Sequence, residues 1–336
     1  MKNILLISST AKKSGRLDGV TVKSRILEQY LENIKDINLY SVDSDNYKKE
    51  FITIIYKFFK SYNKSDKIII CSSSPGASII LKFLKFIKTK KDIYYFVAGG
   101  VLVEYIKQGK YDINLYKDIK KIYVESYEMV KGFKELGANN VEKMNNFREV
   151  KEFENKYVSS SKIKFVYYGR VVKEKGIEHA IKLINRLEKE NYNVCLDIYG
   201  QCKDEYKTKL ETMIASDINF RGALTPNNKD EYEILSQYDI FIFPTEHEGE
   251  GLPGALIDAY IAGLAIIASN WKYANEYIMN NENGYIFEYK NYEDMYNKTK
   301  LLIESNNIQP FKNKSKKLSQ EYLSNTVLCK FINELD

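Results

Sequence analysis

The chain has 336 residues, 44% apolar and 29% charged, an ordinary globular balance that excludes wholesale disorder and, at roughly 150 residues per domain, implies two domains with separate cores. Its 51 Lys and Arg against 45 Asp and Glu leave a net charge of +6. No apolar stretch approaches the ~20 residues of a membrane span, because the longest candidate, residues 93–103, is interrupted by Gly99-Gly100.

The apolar run at the N-terminus is too short for a signal peptide and reads as a buried first strand over 4–8, so a cytosolic location is expected. Further strands are expected over 37–42, 67–71, 93–97 and 121–124, and again over 164–168, 194–199, 240–243 and 265–268. Longer amphipathic segments separate them, the pattern of helices packed on a parallel sheet. Each half therefore reads as a doubly wound α/β unit. The polar stretch 149–162, with Ser159-Ser160-Ser161, suits a hinge, which gives domains of 1–157 and 158–317. Residues 315–335 have helical spacing and no following strand, so they must dock on existing surface.

Divided at the hinge, the charge is uneven: 29 basic and 19 acidic side chains give +10 for residues 1–157, and 22 and 26 give −4 for the rest. The two halves should meet different partners. Cys71, Cys195, Cys202 and Cys329 form no Cys-x-x-Cys pair, and only His179 and His247 could join them. Neither a zinc cluster nor a disulfide framework is expected.

Chemistry concentrates after the strand over 240–243. Pro244 ends it, and Glu246-His247-Glu248-Gly249-Glu250-Gly251-Leu252-Pro253-Gly254-Ala255-Leu256-Ile257-Asp258 follows. Pro253 suits the first position of a helix over about 253–262, and Gly263 suits its C-terminal cap. This presents backbone N–H groups beside carboxylates at the C-terminal edge of a parallel sheet, where doubly wound domains bind ligands. Amides suit phosphate or sugar oxygens, and carboxylates accept from sugar or ribose hydroxyls. A sugar nucleotide satisfies both.

The stretch resembles the Glu-x7-Glu signature of retaining family 4 glycosyltransferases, whose GT-B fold sets two Rossmann-like domains facing across a cleft. On that resemblance Glu250 is the first acid, contacting the donor sugar, and Asp258 the second, at the ribose, where the family has Glu. A register starting at Glu248 is also open. Gly169-Arg170-Val171-Val172-Lys173-Glu174-Lys175-Gly176 resembles the family's Gly-Arg and Lys-Gly pair, and a guanidinium and an ammonium past a strand end can neutralise a diphosphate leaving group. The stretch 14–21, with Gly19, is similar to the family's first-domain glycine loop. It lacks Gly-x-Gly-x-x-Gly, so a dinucleotide cofactor is not expected.

Gly200, Arg221 and Gly222 fall where the family surrounds the base; His247, Gly251, Leu252 and Pro253 complete the expected donor site. The resemblance also carries a C-terminal helix, about 318–336, back to the first domain. It implies transfer of a sugar from a nucleoside diphosphate to a glycan or lipid-linked acceptor in cell-surface polysaccharide synthesis, with no cofactor. A sugar-nucleotide epimerase of the same architecture and a catalytically silent nucleotide- or glycan-binding subunit are the alternatives. Asp43-Ser44-Asp45 resembles the metal-binding Asp-x-Asp of the other large glycosyltransferase fold, but a turn explains it, and no catalytic metal is expected. His179 should be solvated.

Lys82, Lys85, Lys88, Lys90 and Lys91 interleave with Leu81, Phe83, Leu84, Phe86 and Ile87, and a similar mixture covers 51–60. Two readings stand: core helices with solvated lysine faces, or a surface that leans on an anionic bilayer. Nucleic-acid binding is not expected, since no recognition motif accompanies the modest excess.

Overall fold

A computed structural model describes every residue except Leu17, Asn46, Ser216, residues 225–228 and Asp336. The chain divides into two compact units, Met1–Arg148 with Ser324–Asp336, and Glu149–Leu323. Each is built on a six-stranded parallel sheet.

The first sheet comprises β1 (Lys2–Ser8), β2 (Ile37–Asp43), β3 (Lys67–Ser73), β4 (Asp92–Ala98), β5 (Lys121–Val124) and β6 (Val141–Lys143), in the order β2-β1-β3-β4-β5-β6. Its strands are apolar on both faces because helices cover both. Ile4, Leu6, Ile69, Tyr94, Phe96 and Tyr123 form one core with Ile26, Leu27 and Leu31 of the helix Gly19–Glu32 and with Leu328 and Phe331 of the C-terminal helix Ser324–Glu334. The Phe331 ring sits 4.9 Å from Phe96 and 5.5 Å from Tyr123, centroid to centroid. The alternate residues Leu5, Ile68 and Ile70 are buried on the other side of the pleat, where the helices Tyr47–Tyr62 and Ser74–Phe86 pack.

The second sheet comprises β7 (Ile163–Tyr168), β8 (Val194–Tyr199), β9 (Ile218–Gly222), β10 (Ile240–Phe243), β11 (Ala265–Ser269) and β12 (Gly284–Phe287), in the order β12-β11-β10-β7-β8-β9. Phe165, Leu196, Ile240, Ile242 and Ile267 bury against Ile177, Ala180, Ile181, Ile184 and Leu187 of the helix Ile177–Lys189. Strand order reverses between β7 and β10, so connections leave that point in opposite directions and open a crevice at the strands' C-terminal ends.

Several expectations are corrected. β6, β9 and β12 were not read from the sequence, and all three lie at sheet edges. The division falls after Arg148 rather than after 157, because 149–161 packs on the second unit: Phe153 lies 5.4 Å from the Tyr232 ring, and Lys156 Nζ lies 2.7 Å from Glu233. The terminal helix begins at Ser324, not near 318; Tyr322 belongs to the second unit, against Tyr260. Asp43 makes the turn that its spacing suggested, accepting from the amides of Thr10, Lys12 and Asp45 at 3.2, 3.1 and 3.0 Å. Burial opposes ionisation of Asp43, but these amide bonds win and hold its carboxyl below the ordinary value.

Candidate active site

Two loops leave the reversal point side by side. After β7 the chain passes Gly169 and Arg170 into a single tight turn, Lys173–Lys175, and then Gly176. After β10 it passes Pro244 into the acidic loop. Gly176 adopts φ +72°, and a Cβ there would stand 1.8 Å from the Pro244 carbonyl oxygen. Only glycine permits both the left-handed backbone and this approach. The Glu246 amide donates to the Glu174 carbonyl at 2.8 Å, which locks the loops together.

That approach brings the Lys175 ammonium onto the Glu250 carboxylate, with side chains 12% and 10% exposed, so the pair is a buried one. Thr245, itself fully buried, donates its hydroxyl to Glu250 Oε2 at 3.1 Å and accepts from the His247 amide at 3.2 Å. The loop is tied to the end of β11 by the Ser269 hydroxyl, 2.7 Å from the Thr245 carbonyl, and by the Trp271 indole N–H, 3.2 Å from the Gly251 carbonyl. Nothing in the sequence spacing marked Thr245, Ser269 or Trp271. Their part is visible only once β10 and β11 lie side by side.

Of the two registers left open for the first acid, Glu250 is the buried one and Glu248 is exposed. Asp258 is 1% exposed on the helix Gly254–Ala262 and accepts from the Tyr232 hydroxyl at 3.3 Å. Pro253 is the cap of that helix, with ψ 130°, rather than its first helical residue, and it makes no side-chain capping bond. Gly263 closes the helix at φ +73°.

Gly169, Gly200 and Gly222 line up along the ends of β7, β8 and β9. The Gly169 amide donates to Tyr199 at 3.0 Å, and the Gly200 amide to Gly222 at 2.9 Å. Arg221 pairs with Asp197 at 3.1 Å, and Arg170 is exposed. Leu252 is buried. Gly19 lies in the first unit, as the first residue of the helix Gly19–Glu32. His179, expected to be solvated, instead meets Glu246 of the acidic loop at 2.9 Å from the first turn of the helix Ile177–Lys189.

Burial, then the positive charges of Lys175 and Arg170, hold His247 below its ordinary pKa against the pull of Glu250. Tyr167 donates to the Arg170 carbonyl at 2.7 Å; burial and the Glu250 charge push its phenol well above the ordinary range. The site thus offers two cations at one strand end, with carboxylate acceptors and a helix N-terminus at its neighbour. Among the described residues, no three His, Cys, Asp or Glu side chains group so as to hold a metal ion.

The family model described as glycosyl transferases group 1 matches residues 149–322, just over half of the chain and nearly the bounds of the second unit. The capsular polysaccharide biosynthesis glycosyltransferase CapM of Staphylococcus aureus is 25% identical over 256 residues, 70% of this chain and 67% of that protein. The uncharacterized glycosyltransferase MJ1069 of Methanocaldococcus jannaschii is 26% identical over 265 residues, 77% of this chain and 66% of that protein. The chain thus spans about two thirds of the length of these relatives. Among solved structures, Anabaena Alr3699/HepE in complex with UDP superposes with a TM-score of 0.77 at 13% identity, covering 100% of this chain and 99% of that one. At that identity the likeness is one of fold.

Proposed function

The chain belongs to the glycosyl transferases group 1 family, and on that premise we propose that it moves a sugar from a nucleoside diphosphate to a hydroxyl of a glycan or lipid-linked acceptor, with retention of anomeric configuration. In this reading the bond from the anomeric carbon to the diphosphate breaks, and the acceptor oxygen bonds that carbon on the same face. The acceptor's proton passes to the departing diphosphate oxygen. Arg170, Lys175 and the amides near Gly251 and Pro253 stabilise the charge that develops there. Glu250 orients the donor sugar and Asp258 the ribose, while Gly200, Arg221 and Gly222 flank the base.

The observation that carries the reading is the Lys175–Glu250 pair at the reversal point between β7 and β10. It places a cation for phosphate and an acceptor for sugar hydroxyls side by side, where such sheets bind ligands. The relative in capsular polysaccharide biosynthesis supports a surface-glycan product, and the UDP-bound neighbour makes a uridine diphosphate sugar the first donor to try. No helix of the described residues is long and apolar enough to cross a membrane. We place the enzyme at the cytoplasmic face of the cell membrane, as a peripheral protein.

A thermal-shift panel of nucleoside diphosphates identifies the base, since a ligand that binds only the folded state raises its melting temperature. Mass spectrometry of the products then separates transfer from epimerisation. Arg170→Ala should lower turnover by about 10²- to 10³-fold without altering the melting temperature. Turnover is expected to survive chelation of divalent cations. Unchanged turnover in Arg170→Ala would refute the assignment.

A further inference from the structure

In the first unit, the helices Tyr47–Tyr62 and Ser74–Phe86 pack side by side on one face of the sheet, joined where the Phe83 ring lies 5.2 Å from Phe58 and 6.2 Å from Phe59. Each buries one side: Phe58 is 4% exposed, and Ala77, Leu81 and Leu84 are no more than 2% exposed. Their outer sides should then be polar. They are not. Ile52 is 84% exposed, Tyr56 66% and Phe59 42%, at i, i+4, i+7 along the first helix; Ile79 is 56% and Phe86 83% exposed, seven residues apart along the second. Single exposed apolar side chains are normal, but two exposed apolar rows on adjoining helices, which meet where Phe59 faces Phe83, are the kind of surface that marks an interaction site.

The charge around the patch is one-sided. Residues 47–91 contain 11 lysines and two acids, Glu50 and Asp66, a net +9 that nearly equals the whole excess of the first half. Lys13 lies 2.7 Å from Glu50, and Asp66 accepts from Asn3 at 3.0 Å. Lys57, Lys60, Lys82, Lys88 and Lys90 are exposed around the aromatics. Lys85 pairs with Asp118 at 2.8 Å, but a second copy of the chain would still bring the exposed Lys57, Lys60, Lys82, Lys88 and Lys90 against themselves, a like-charge contact that opposes association. An anionic bilayer complements both features: its headgroups attract the ammonium groups, and its acyl boundary takes the apolar stripe.

We propose that the paired helices Tyr47–Tyr62 and Ser74–Phe86 form a docking face for an anionic phospholipid bilayer, with Ile52, Tyr56, Phe59, Ile79 and Phe86 inserted and the lysines at headgroup level. This deepens the peripheral-membrane part of the proposed function, and it stands on the surface itself rather than on the catalytic site.

The test is co-sedimentation of the purified chain with vesicles of phosphatidylcholine alone and of phosphatidylcholine with phosphatidylglycerol. Binding to the anionic vesicles alone is expected, and it should weaken as salt is raised from about 0.1 to 1 M, where the screening length falls to about 3 Å. Lys57→Gln with Lys82→Gln should reduce binding by about fivefold per lysine. Ile52→Ser with Phe86→Ser should reduce it at least about tenfold. In Phe86→Trp, anionic vesicles should shift the emission to the blue, a gain of signal that needs no loss of folding.

Equal binding to both vesicle types, no binding to either, or no emission shift would overturn the proposal. So would concentration-dependent dimerisation that Ile52→Ser with Phe86→Ser abolishes, which would assign the face to a second copy. Donor turnover without vesicles should be unchanged in every one of these variants. Vesicle binding without any donor turnover would sink the proposed function and leave the docking face standing.

Discussion

Replacing Lys175 by Met removes the ammonium that faces Glu250 and leaves a carboxylate about nine-tenths buried, with the Thr245 hydroxyl 3.1 Å from it. Breaking one side of a buried pair typically costs 3–5 kcal/mol, because the remaining charge has lost both water and partner. The Thr245 bond survives, so the loss should lie near the bottom of that range, about 3 kcal/mol. Glu250→Gln keeps the shape and the Thr245 contact but strands the ammonium, at about 2–3 kcal/mol. The double variant strands neither charge, and its loss should fall short of the sum by about 2 kcal/mol or more. For a domain of this size, each kcal/mol moves the melting midpoint by roughly 2–4 °C. Circular dichroism melts of the four proteins therefore read the cycle directly, and donor turnover, measured in parallel, should fall at least about 100-fold in all three variants. A coupling below about 0.5 kcal/mol would show that the two charges do not depend on each other. Full turnover in Lys175→Met would refute the role given to the pair.

Gly176→Ala should lower the melting midpoint of the second unit by an amount equivalent to at least about 2 kcal/mol, since its Cβ would lie 1.8 Å from the Pro244 oxygen at φ +72°. Phe331→Ala, which empties a fully buried aromatic site among Tyr94, Phe96 and Tyr123, should cost the first unit about 3–5 kcal/mol in denaturant unfolding. Lys312 is 5% exposed, its ammonium 2.6 Å from the Tyr238 carbonyl and 3.4 Å from the centre of the Tyr157 ring; burial brings its pKa down to about 8. The folded state then sheds this proton before the unfolded one does, so stability should rise from pH 8 toward the ordinary lysine value of ~10.4, and Lys312→Met should flatten the rise. His247, held low by burial and by Lys175, has the same sign in a lower window: stability should fall as pH drops through ~6.5, and His247→Gln should remove that slope.

The strands that could be read from sequence alone are those with neighbours on both sides, together with β2. Ile240-Phe241-Ile242-Phe243 and Ile68-Ile69-Ile70-Cys71 are apolar at successive positions because helices bury both faces of the sheet. The three strands that escaped are edge strands with one hydrogen-bonding neighbour each. Val141-Glu142-Lys143 and Ile218-Asn219-Phe220-Arg221-Gly222 carry polar residues at their open margins, the composition that keeps an edge from pairing with another chain. The site divides along a similar line. Glycine and proline mark backbone constraints that are local, so the loop around Glu250 and the turn at Gly176 were legible. Thr245, Ser269 and Trp271 act across strands, and no local spacing encodes that.

The lysine-rich helices show where a pattern can be legible and its meaning not. Interleaved Lys and Phe at helical spacing fit both a core helix with a solvated lysine face and a surface helix with an exposed aromatic one. The choice depends on how much of each helix's girth the sheet covers. Here coverage is narrow: Phe58 is buried while Phe59, one residue on, is 42% exposed, and Leu84 is buried while Phe86 is 83% exposed. The kink at Glu50, with φ −116° and ψ 21°, divides Tyr47 and its neighbours from the stripe of Ile52, Tyr56 and Phe59. The same 45 residues carry +9 of the first half's net +10, and the exposed Lys57, Lys60, Lys82, Lys88 and Lys90 lie on the same two helices or just past them, so apolar exposure and cationic excess coincide in one segment. A modest net charge for the whole chain therefore conceals a strongly polarised surface, and that polarity, rather than the total of +6, is what a bilayer would meet.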